Sequence, residues 1–173
     1  MEIRMTPEGS EQIMSEDELI VTKTDAKGWI TYSNKYGADI AEYEQKELVG
    51  KPHSIIRSKA MPRCIFKLLW DRISKGHEVF AYVVNKTKND NHYWVFAHVT
   101  PSFDGEGNIT GYHSNRRKPF ESALDQVKPL YAALLEEEAR HANRKDGLAA
   151  STAMLGKVLE AKGVDYDEFV LSI

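Results

Sequence analysis

Three polar side chains in the first half of the chain have the chemistry needed to hold an anionic, heteroaromatic ligand. Arg57 carries a planar guanidinium, which can donate two parallel hydrogen bonds to the oxygens of a diphosphate. Asn34 and Asn85 carry amides, which offer donors and an acceptor to the edge of a heteroaromatic ring. Each residue also has an ordinary structural alternative: a surface salt bridge for Arg57, a helix cap for Asn34 and a turn amide for Asn85.

A flat ligand ring would also need apolar walls, because cofactor sites are mostly hydrophobic with a few placed polar groups. The candidate wall residues are the larger apolar side chains of one predicted helix and two predicted strands: Ile65, Phe66, Leu69, Trp70, Tyr82 and Trp94. In the alternative interpretation these side chains only fill the core. Strand alternation puts neighbours such as Tyr93 and Trp94 on opposite faces, so not all the aromatic side chains can point into one pocket.

The sequence contains no pattern typical of catalysis. It has no Gly-rich phosphate loop, no nucleophile elbow and no His-Glu-x-x-His helix. The acidic run from Glu136 to Glu138, followed by Arg140, is typical of a solvated helix face with local charge pairs. Cys64 lies alone on a predicted helix and behaves as a small hydrophobic residue. We therefore expect a binding protein and not an enzyme.

Histidine leaves haem open as an alternative ligand. The chain has six histidines, and His53 or a strand histidine could provide an axial ligand. None of the six lies on the predicted helix from Ile65 to Ile73, and they show no metal-type spacing. Isolated histidines are more often structural or surface residues than ligands. The sequence therefore predicts no metal site.

Composition limits the remaining functional classes. The chain has 173 residues with a net charge of −3, which predicts one domain with an extension and gives no basic surface for nucleic acid. A single cysteine rules out an internal disulfide and is typical of a reducing compartment. No apolar run reaches the roughly 18 residues that a membrane helix needs. We expect a cytoplasmic protein without direct membrane insertion.

The first half of the chain predicts a β-hairpin followed by helices. Residues 18–34 form two β-rich runs joined by a turn at Gly28. Residues 34–49 show a broken helical pattern that ends at Gly50 and Pro52, which indicates short helices. Residues 63–73 then repeat apolar side chains at helical spacing after Pro62. Two strands and a helical insert are therefore expected.

Three more β-rich runs follow, at residues 79–86, 92–103 and 109–117. Short polar turns separate them, so consecutive strands should pair antiparallel. Together with the hairpin they predict an α+β fold, in which a five-stranded antiparallel sheet carries its helices on one face.

The composition changes after Pro119. Residues 122–140 and 148–162 are rich in Ala, Leu, Glu and Lys and predict two helices, separated by residues 143–147. Their apolar stripes, which include Leu124, Leu134 and Leu155, need to be covered. The covering surface is either this domain's own sheet or a second protein. The predicted organisation is an N-terminal cap or flexible segment at 1–18, a sensor domain at 19–118 and a C-terminal helical extension at 119–173.

Several separated motifs resemble one family. The segments Glu47-Leu-Val-Gly-Lys-Pro-His53, Met61-Pro62, Lys88-Asn-Asp-Asn-His-Tyr-Trp-Val95 and Lys128-Pro-Leu-Tyr131 resemble, in order, segments of the PAS domain of bacterial aerotaxis receptors. The resemblance spans residues 19–135. It implies a PAS fold that encloses FAD, whose redox state is passed to a chemotaxis signalling module.

The resemblance also implies partners and site residues. It is to the stand-alone form found in bipartite energy-taxis systems, which implies a membrane-bound chemotaxis transducer as partner, and we expect a homodimer. Asn34, Arg57 and Asn85 match family cofactor positions, and Met61 matches the Met of the pocket segment. The predicted FAD-binding set is therefore Asn34, Arg57, Met61, Ile65, Phe66, Leu69, Trp70, Tyr82, Asn85 and Trp94.

The pocket segment departs from the family pattern at three positions. The family commonly reads Arg-His-Pro-Asp-Met-Pro, whereas this chain reads Arg57-Ser-Lys-Ala-Met-Pro62. The family His and Asp help to hold the flavin, so Ser58-Lys59-Ala60 favours an alternative in which the domain is a cofactor-free interaction or dimerisation module. A third alternative is a sensor in which haem or a small organic ligand fills the same pocket.

Overall fold

A computed structural model describes residues 6–173. It contains one five-stranded antiparallel sheet whose strands follow the predicted runs: β1 (Ile20–Asp25), β2 (Ile30–Ser33), β3 (Val79–Lys86), β4 (His92–Phe103) and β5 (Ile109–Arg117). The spatial order is β2-β1-β5-β4-β3, so β5 joins the N-terminal hairpin to the later strands. The predicted α+β class and sheet are confirmed.

The insert between β2 and β3 consists of short helices and one longer one. These are α1 (Lys35–Ile40), α2 (Gln45–Leu48), a 3-10 turn (His53–Ile56) and α3 (Arg63–Ile73). Asn34 begins α1 as its N-cap, since its side-chain oxygen accepts a hydrogen bond from the backbone N–H of Gly37. The predicted short helices and the predicted helix at 63–73 are both confirmed.

Three helices follow the sheet, one more than the sequence pattern predicts: α4 (Glu121–Ala139), α5 (Arg144–Lys162) and α6 (Tyr166–Ser172). The predicted break between two helices is present but lies a few residues earlier than 143–147: α4 ends at Ala139, Asn143 caps α5, and Gly147 lies inside the first two turns of α5. Gly147 does not end the helix. A glycine fits at this position because α5 passes directly against the backbone of α4. The short α6 begins at Asp165, whose side chain accepts a hydrogen bond from the Glu168 N–H.

The C-terminal helices cover parts of the sensor domain instead of leaving their apolar stripes exposed. Leu124, Val127 and Leu134 of α4 are buried, and so is Leu155 of α5. The Tyr131 hydroxyl donates to the backbone carbonyl of Tyr82 in β3 at 2.6 Å. The stripes are therefore covered within the chain, by the outer face of the sheet and by α3.

The two faces of the sheet have different neighbours, as strand alternation requires. Ala97, Tyr112 and Arg116 project to the inner face, where α3 and the 3-10 turn lie. Trp94 on β4 projects to the outer face, where its ring lies 6.1 Å from that of Tyr131. The inner face is therefore the one that can form a site with the helical insert.

Gly111 allows β1 and β5 to pair closely. It lies opposite Asp25, and a Cβ at this position would come within 2.1 Å of the Thr24 carbonyl oxygen. We expect Gly111→Ala to lower the free energy of unfolding by about 2 kcal/mol, because two paired backbones must separate. Urea unfolding measures this change. Gly105→Ala, where the new Cβ meets no atom within 4 Å, is the control and should leave stability nearly unchanged; equal effects would contradict the steric explanation.

Candidate cofactor-binding site

A cavity of about 240 Å³ lies between the inner face of the sheet and the helical insert. Its wall on the insert side consists of Phe66, Leu69, Trp70 and Ile73, which share one face of α3 because they recur at helical spacing. The sheet side combines small and polar residues: Thr22, Thr24, Val83, Asn85, Ala97, Val99, Tyr112, Ser114 and Arg116. The space is therefore apolar on the helix side and of mixed polarity on the sheet side.

Trp70 forms the edge of the cavity toward solvent. Its ring meets the ring of Tyr112 edge-on, with centroids 5.5 Å apart, and the side chain is still 39% exposed. The β1–β2 turn packs against the same indole, since a Cβ on Gly28 would lie 3.1 Å from it. Gly28 has φ +87°, so both conformation and space favour glycine there. The turn and Trp70 together form one side of the opening.

Arg116 is the most unusual residue of the cavity. Its side chain is only 3% exposed, and within residues 6–173 it forms no ion pair. One terminal nitrogen donates to the hydroxyl of Thr22, while Nε is buried without a hydrogen-bond partner. Burial lowers the pKa of the guanidinium from its ordinary value. A buried cation without an anion is costly, so this site favours a ligand with negative or electron-rich atoms.

Asn85 adds a second unpartnered donor. The residue is 3% exposed, lines the cavity, and its side-chain Nδ2 has no hydrogen-bond partner. On the β3–β4 ladder it lies opposite Tyr93, whose pKa burial raises to about 12, so that hydroxyl stays protonated at neutral pH. Arg116 Nε and Asn85 Nδ2 are therefore two buried donors without a hydrogen-bond partner, on residues that line the same cavity.

His53 also lines the cavity, at the start of the 3-10 turn. Burial, and then the positive charge of Arg116, lowers the pKa of its imidazole to about 3. The side chain is therefore neutral at physiological pH, and Arg116 is the charged group at this end of the cavity.

Arg57 lies at the mouth, where the 3-10 turn ends. Its guanidinium carbon is 3.9 Å from the ring centroid of Phe66, close enough for a cation–π contact. Its backbone bridges to Asn85 of β3. Partial burial lowers the pKa of the guanidinium, although the side chain remains accessible to solvent.

A second, open and polar recess adjoins the cavity and shares Ser54 and Arg57 with it. We call it the outer recess; it is lined by Glu8, Ser54, Arg57, Ser58, Lys59, Lys86 and Asp90. Glu8 reaches it from the N-terminal segment and accepts hydrogen bonds from the Ser58 hydroxyl at 2.5 Å and the Lys59 N–H at 3.0 Å. Although burial raises the pKa of Glu8, these hydrogen bonds keep it below its ordinary value.

The structure separates the ten predicted site residues into two groups. Arg57, Phe66, Leu69, Trp70 and Asn85 line the cavity. The other five are Asn34, Met61, Ile65, Tyr82 and Trp94, and they are not among its lining residues.

Each residue of the second group has a structural contact of its own. The amide of Asn34 caps α1 and bonds the backbone of Leu19 and Val21. The Met61 sulfur accepts the Val84 N–H at 3.3 Å, and Ile65 is buried in the core. Tyr82 and Trp94 lie on the opposite face of the sheet.

The sequence interpretation did not select Arg116 or Tyr112, and it considered His53 only as a haem ligand. Strand alternation was the available signal, because Tyr112, Ser114 and Arg116 share one face of β5 and the adjacent Arg117 takes the other. The sequence alone did not indicate which of two consecutive arginines points inward. Within residues 6–173, no group of three or more His, Cys, Asp and Glu side chains is arranged to hold a metal ion.

The comparisons with known proteins agree with this architecture. Residues 19–114 match the family model described as the PAS fold. The chain is 33% identical over 145 residues to the aerotaxis receptor of Escherichia coli (strain K12), a match that covers 84% of this chain and 28% of the receptor. This chain therefore spans about a quarter of that relative. Among residues 6–173, no helix combines the length and apolarity needed to cross a bilayer.

Solved structures show the same fold at low sequence identity. A light-oxygen-voltage domain studied with a flavin analogue has a TM-score of 0.54 at 17% identity and covers 63% of this chain and 82% of that chain. The dark-state light-oxygen-voltage domain of the photoreceptor Aureochrome1 has a TM-score of 0.54 at 22% identity, with 70% and 84% covered. The sheet order, the helical insert and the family match lead to one assignment: the chain belongs to the PAS family.

Proposed function

We propose that this chain is a sensor that binds FAD, responds to its redox state and signals to a chemotaxis transducer. The buried, unpaired guanidinium of Arg116 is the observation that carries the proposal. When bound, the isoalloxazine ring supplies the redox chemistry, since it takes up electrons and protons at its heteroatoms. The residues of the cavity bind and orient that ring and fix the charge around it.

The donors in the cavity match the edge of such a ring. Arg116 Nε and Asn85 Nδ2 are buried and without partners, and both residues line the cavity. Ring carbonyl oxygens and nitrogens would accept these two hydrogen bonds and remove the cost of leaving the donors buried and unpaired. The positive charge of Arg116 also favours the electron-rich form of the ring over the electron-poor form. The residues therefore fit the cofactor that the resemblance implies.

The dimensions of the site favour a dinucleotide. The cavity of about 240 Å³ is somewhat smaller than the roughly 300–1,000 Å³ of sites for whole drug-sized ligands, and it suits one planar ring system. The outer recess contains three cations next to the cavity mouth, Arg57, Lys59 and Lys86, which outnumber its two carboxylates, Glu8 and Asp90. Diphosphate oxygens are the natural partners of such a group. FAD therefore uses both spaces, with the ring inside and the diphosphate outside.

Signalling is proposed from the relative that the chain matches. The E. coli protein is named an aerotaxis receptor, and this chain aligns with about a quarter of it. We propose that this chain is a cytoplasmic homodimer, that it is not an enzyme, and that a separate membrane-bound chemotaxis transducer receives its signal. Redox-dependent contacts between the ring and the cavity would provide the difference between two signalling states.

His53 supports haem as a second candidate cofactor. Its imidazole lines the cavity and is neutral, which is the form that coordinates iron. A porphyrin is larger than an isoalloxazine, and the cavity of about 240 Å³ suits a single planar ring system of the smaller size. The geometry therefore ranks haem below FAD.

The absorption spectrum of the freshly purified protein tests the proposal directly. We expect a flavin spectrum and release of FAD, not FMN, on denaturation. Arg57→Ala should retain less FAD through purification, because the mouth loses its guanidinium. A Soret band would show that the cofactor is haem and not FAD. A colourless protein that takes up neither cofactor would instead support the cofactor-free interaction module.

Replacement of Arg116 separates binding from folding. We expect Arg116→Gln to weaken FAD affinity about tenfold or more and to lower the reduction potential of bound flavin by roughly 60 mV, which is tenfold for one electron. The cofactor-free variant should be no less stable, since an unpaired buried charge is removed. Flavin titration, a redox titration and urea unfolding measure the three quantities. Arg117→Gln, on the opposite face of β5, is the matched control, and equal effects of the two variants would contradict the assignment.

The lowered pKa of His53 predicts that the stability of the protein depends on pH. Its pKa is about 3 in the folded protein and near 6.5 when unfolded, so between these values only the unfolded chain binds the proton. The free energy of unfolding should therefore fall as pH drops below about 6.5, by at most about 1.4 kcal/mol per pH unit. Urea unfolding at pH 7 and pH 5 should show a smaller loss for His53→Gln than for the wild type. The exposed His77→Gln is the control; parallel pH curves for all three proteins would refute a His53 that stays neutral in the folded protein.

A further inference from the structure

Helix α3 is held at its N-terminal end by one buried carboxylate from α4. Glu138 is 5% exposed and accepts hydrogen bonds from the Cys64 N–H at 3.1 Å, Arg63 Nε at 3.2 Å and the Ser151 hydroxyl at 2.9 Å. These partners belong to α3 and α5, so a single side chain joins three helices. The Cys64 N–H lies in the first turn of α3, where no side chain of the cap residue Pro62 accepts a bond. Glu138 therefore completes the start of the helix.

The backbone around Glu138 is packed without spare room. A Cβ on Gly147 of α5 would lie 2.6 Å from the Glu138 carbonyl oxygen and 3.1 Å from a terminal nitrogen of Arg63. Arg63 also donates to the Arg144 carbonyl at 2.9 Å. We call Arg63, Cys64, Glu138, Gly147 and Ser151 the Glu138 junction. The close contacts of this junction fix the position of α5 against α3 and α4.

The other end of α3 is held by α6. The Arg72 guanidinium donates to both carboxylate oxygens of Asp167, at 2.6 and 2.5 Å, and lies 5.5 Å from the ring centroid of Tyr166. The ring of Tyr166 is buried. The C-terminal helices therefore hold α3 at both ends, through an ionic contact each time.

The cavity occupies a different face of the same helix. Phe66, Leu69, Trp70 and Ile73 face the cavity, whereas Cys64 and Arg72 face the C-terminal helices. Arg57 at the cavity mouth also lies within the electrostatic influence of Glu138, which raises the pKa of its guanidinium against the larger lowering by burial. The cavity and the C-terminal helices therefore contact different faces of one eleven-residue helix, which supplies the contiguous physical link that a coupling between them requires.

We propose that α3 couples the cavity to the docking of α5 and α6, with the Glu138 junction and the Arg72–Asp167 pair as the contacts that change. The inference rests on the proposed cofactor site for its ligand, and its contacts are those described above. Linkage makes the coupling reciprocal. A ligand that fixes α3 strengthens the docking of the C-terminal helices, and loosening those helices weakens the binding of the ligand. The C-terminal helices are therefore the regulated part of the protein.

Flavin titration of paired variants tests the coupling from the C-terminal side. We expect Glu138→Gln to weaken FAD affinity roughly fivefold, at the lower end of typical coupling, without contacting the cavity. Glu136→Gln, an exposed neighbour, is its control. Gly147→Ala should act in the same direction through steric displacement, with Gly156→Ala as control because that Cβ meets nothing within 4 Å. Asp167→Asn breaks the partly buried Arg72–Asp167 pair and remains informative if the Glu138 variants fail to fold.

Hydrogen–deuterium exchange distinguishes this inference from the cofactor assignment. In the cofactor-free protein, Glu138→Gln and Asp167→Asn should speed exchange of backbone amides in residues 66–73 together with those in 144–172. In the wild type, added FAD should slow exchange in 144–172. Unaltered exchange in 66–73 in both variants would overturn the coupling whether or not FAD binds. Failure of the wild type to bind FAD, with coupled exchange still present, would overturn only the cofactor.

Discussion

Helix α3 must pack against three partners at once, and the rest of the structure depends on how it does so. One face lies over the inner side of the sheet, but Phe66, Leu69 and Trp70 stand off far enough to leave a cavity. Its ends are held by Glu138 and Asp167 from the C-terminal helices. The contacts at both ends of the helix oppose its collapse onto the sheet, against the tendency of cores to pack densely.

The charge of Arg116 gives that cavity its chemical character. Surrounded by Thr22, Tyr93 and the neutral His53, the guanidinium is stabilised by one hydroxyl and by no carboxylate among the described residues. A protein that needed only stability would gain by replacing such a group with an apolar side chain. The cofactor proposed for this cavity would supply the missing electron density, and the same charge would then set how readily that cofactor accepts electrons.

The sequence predicted the elements better than it predicted the site. Alternation, turn residues and helical spacing placed all five strands and α3 correctly, because those signals are local. Five of the ten predicted site residues line the cavity, mostly from α3, whose single apolar face is readable from spacing. The sequence could not identify Arg116 and His53 as cavity residues, because tertiary packing decides which face of a strand or turn meets the insert. Helix α6, of seven residues, was not predicted.

The departure at Ser58-Lys59-Ala60 shows how a local motif can be replaced by distant residues. The sequence places small or basic residues where the family commonly has His, Pro and Asp, which removes a carboxylate from the loop. In the folded chain the Glu8 carboxylate lies against that loop and accepts bonds from Ser58 and Lys59. A carboxylate is therefore present at the loop, although it comes from fifty residues earlier. Lys59 and Glu8 both line the outer recess, so an anionic ligand at the cavity mouth would meet one cation and one carboxylate at this loop.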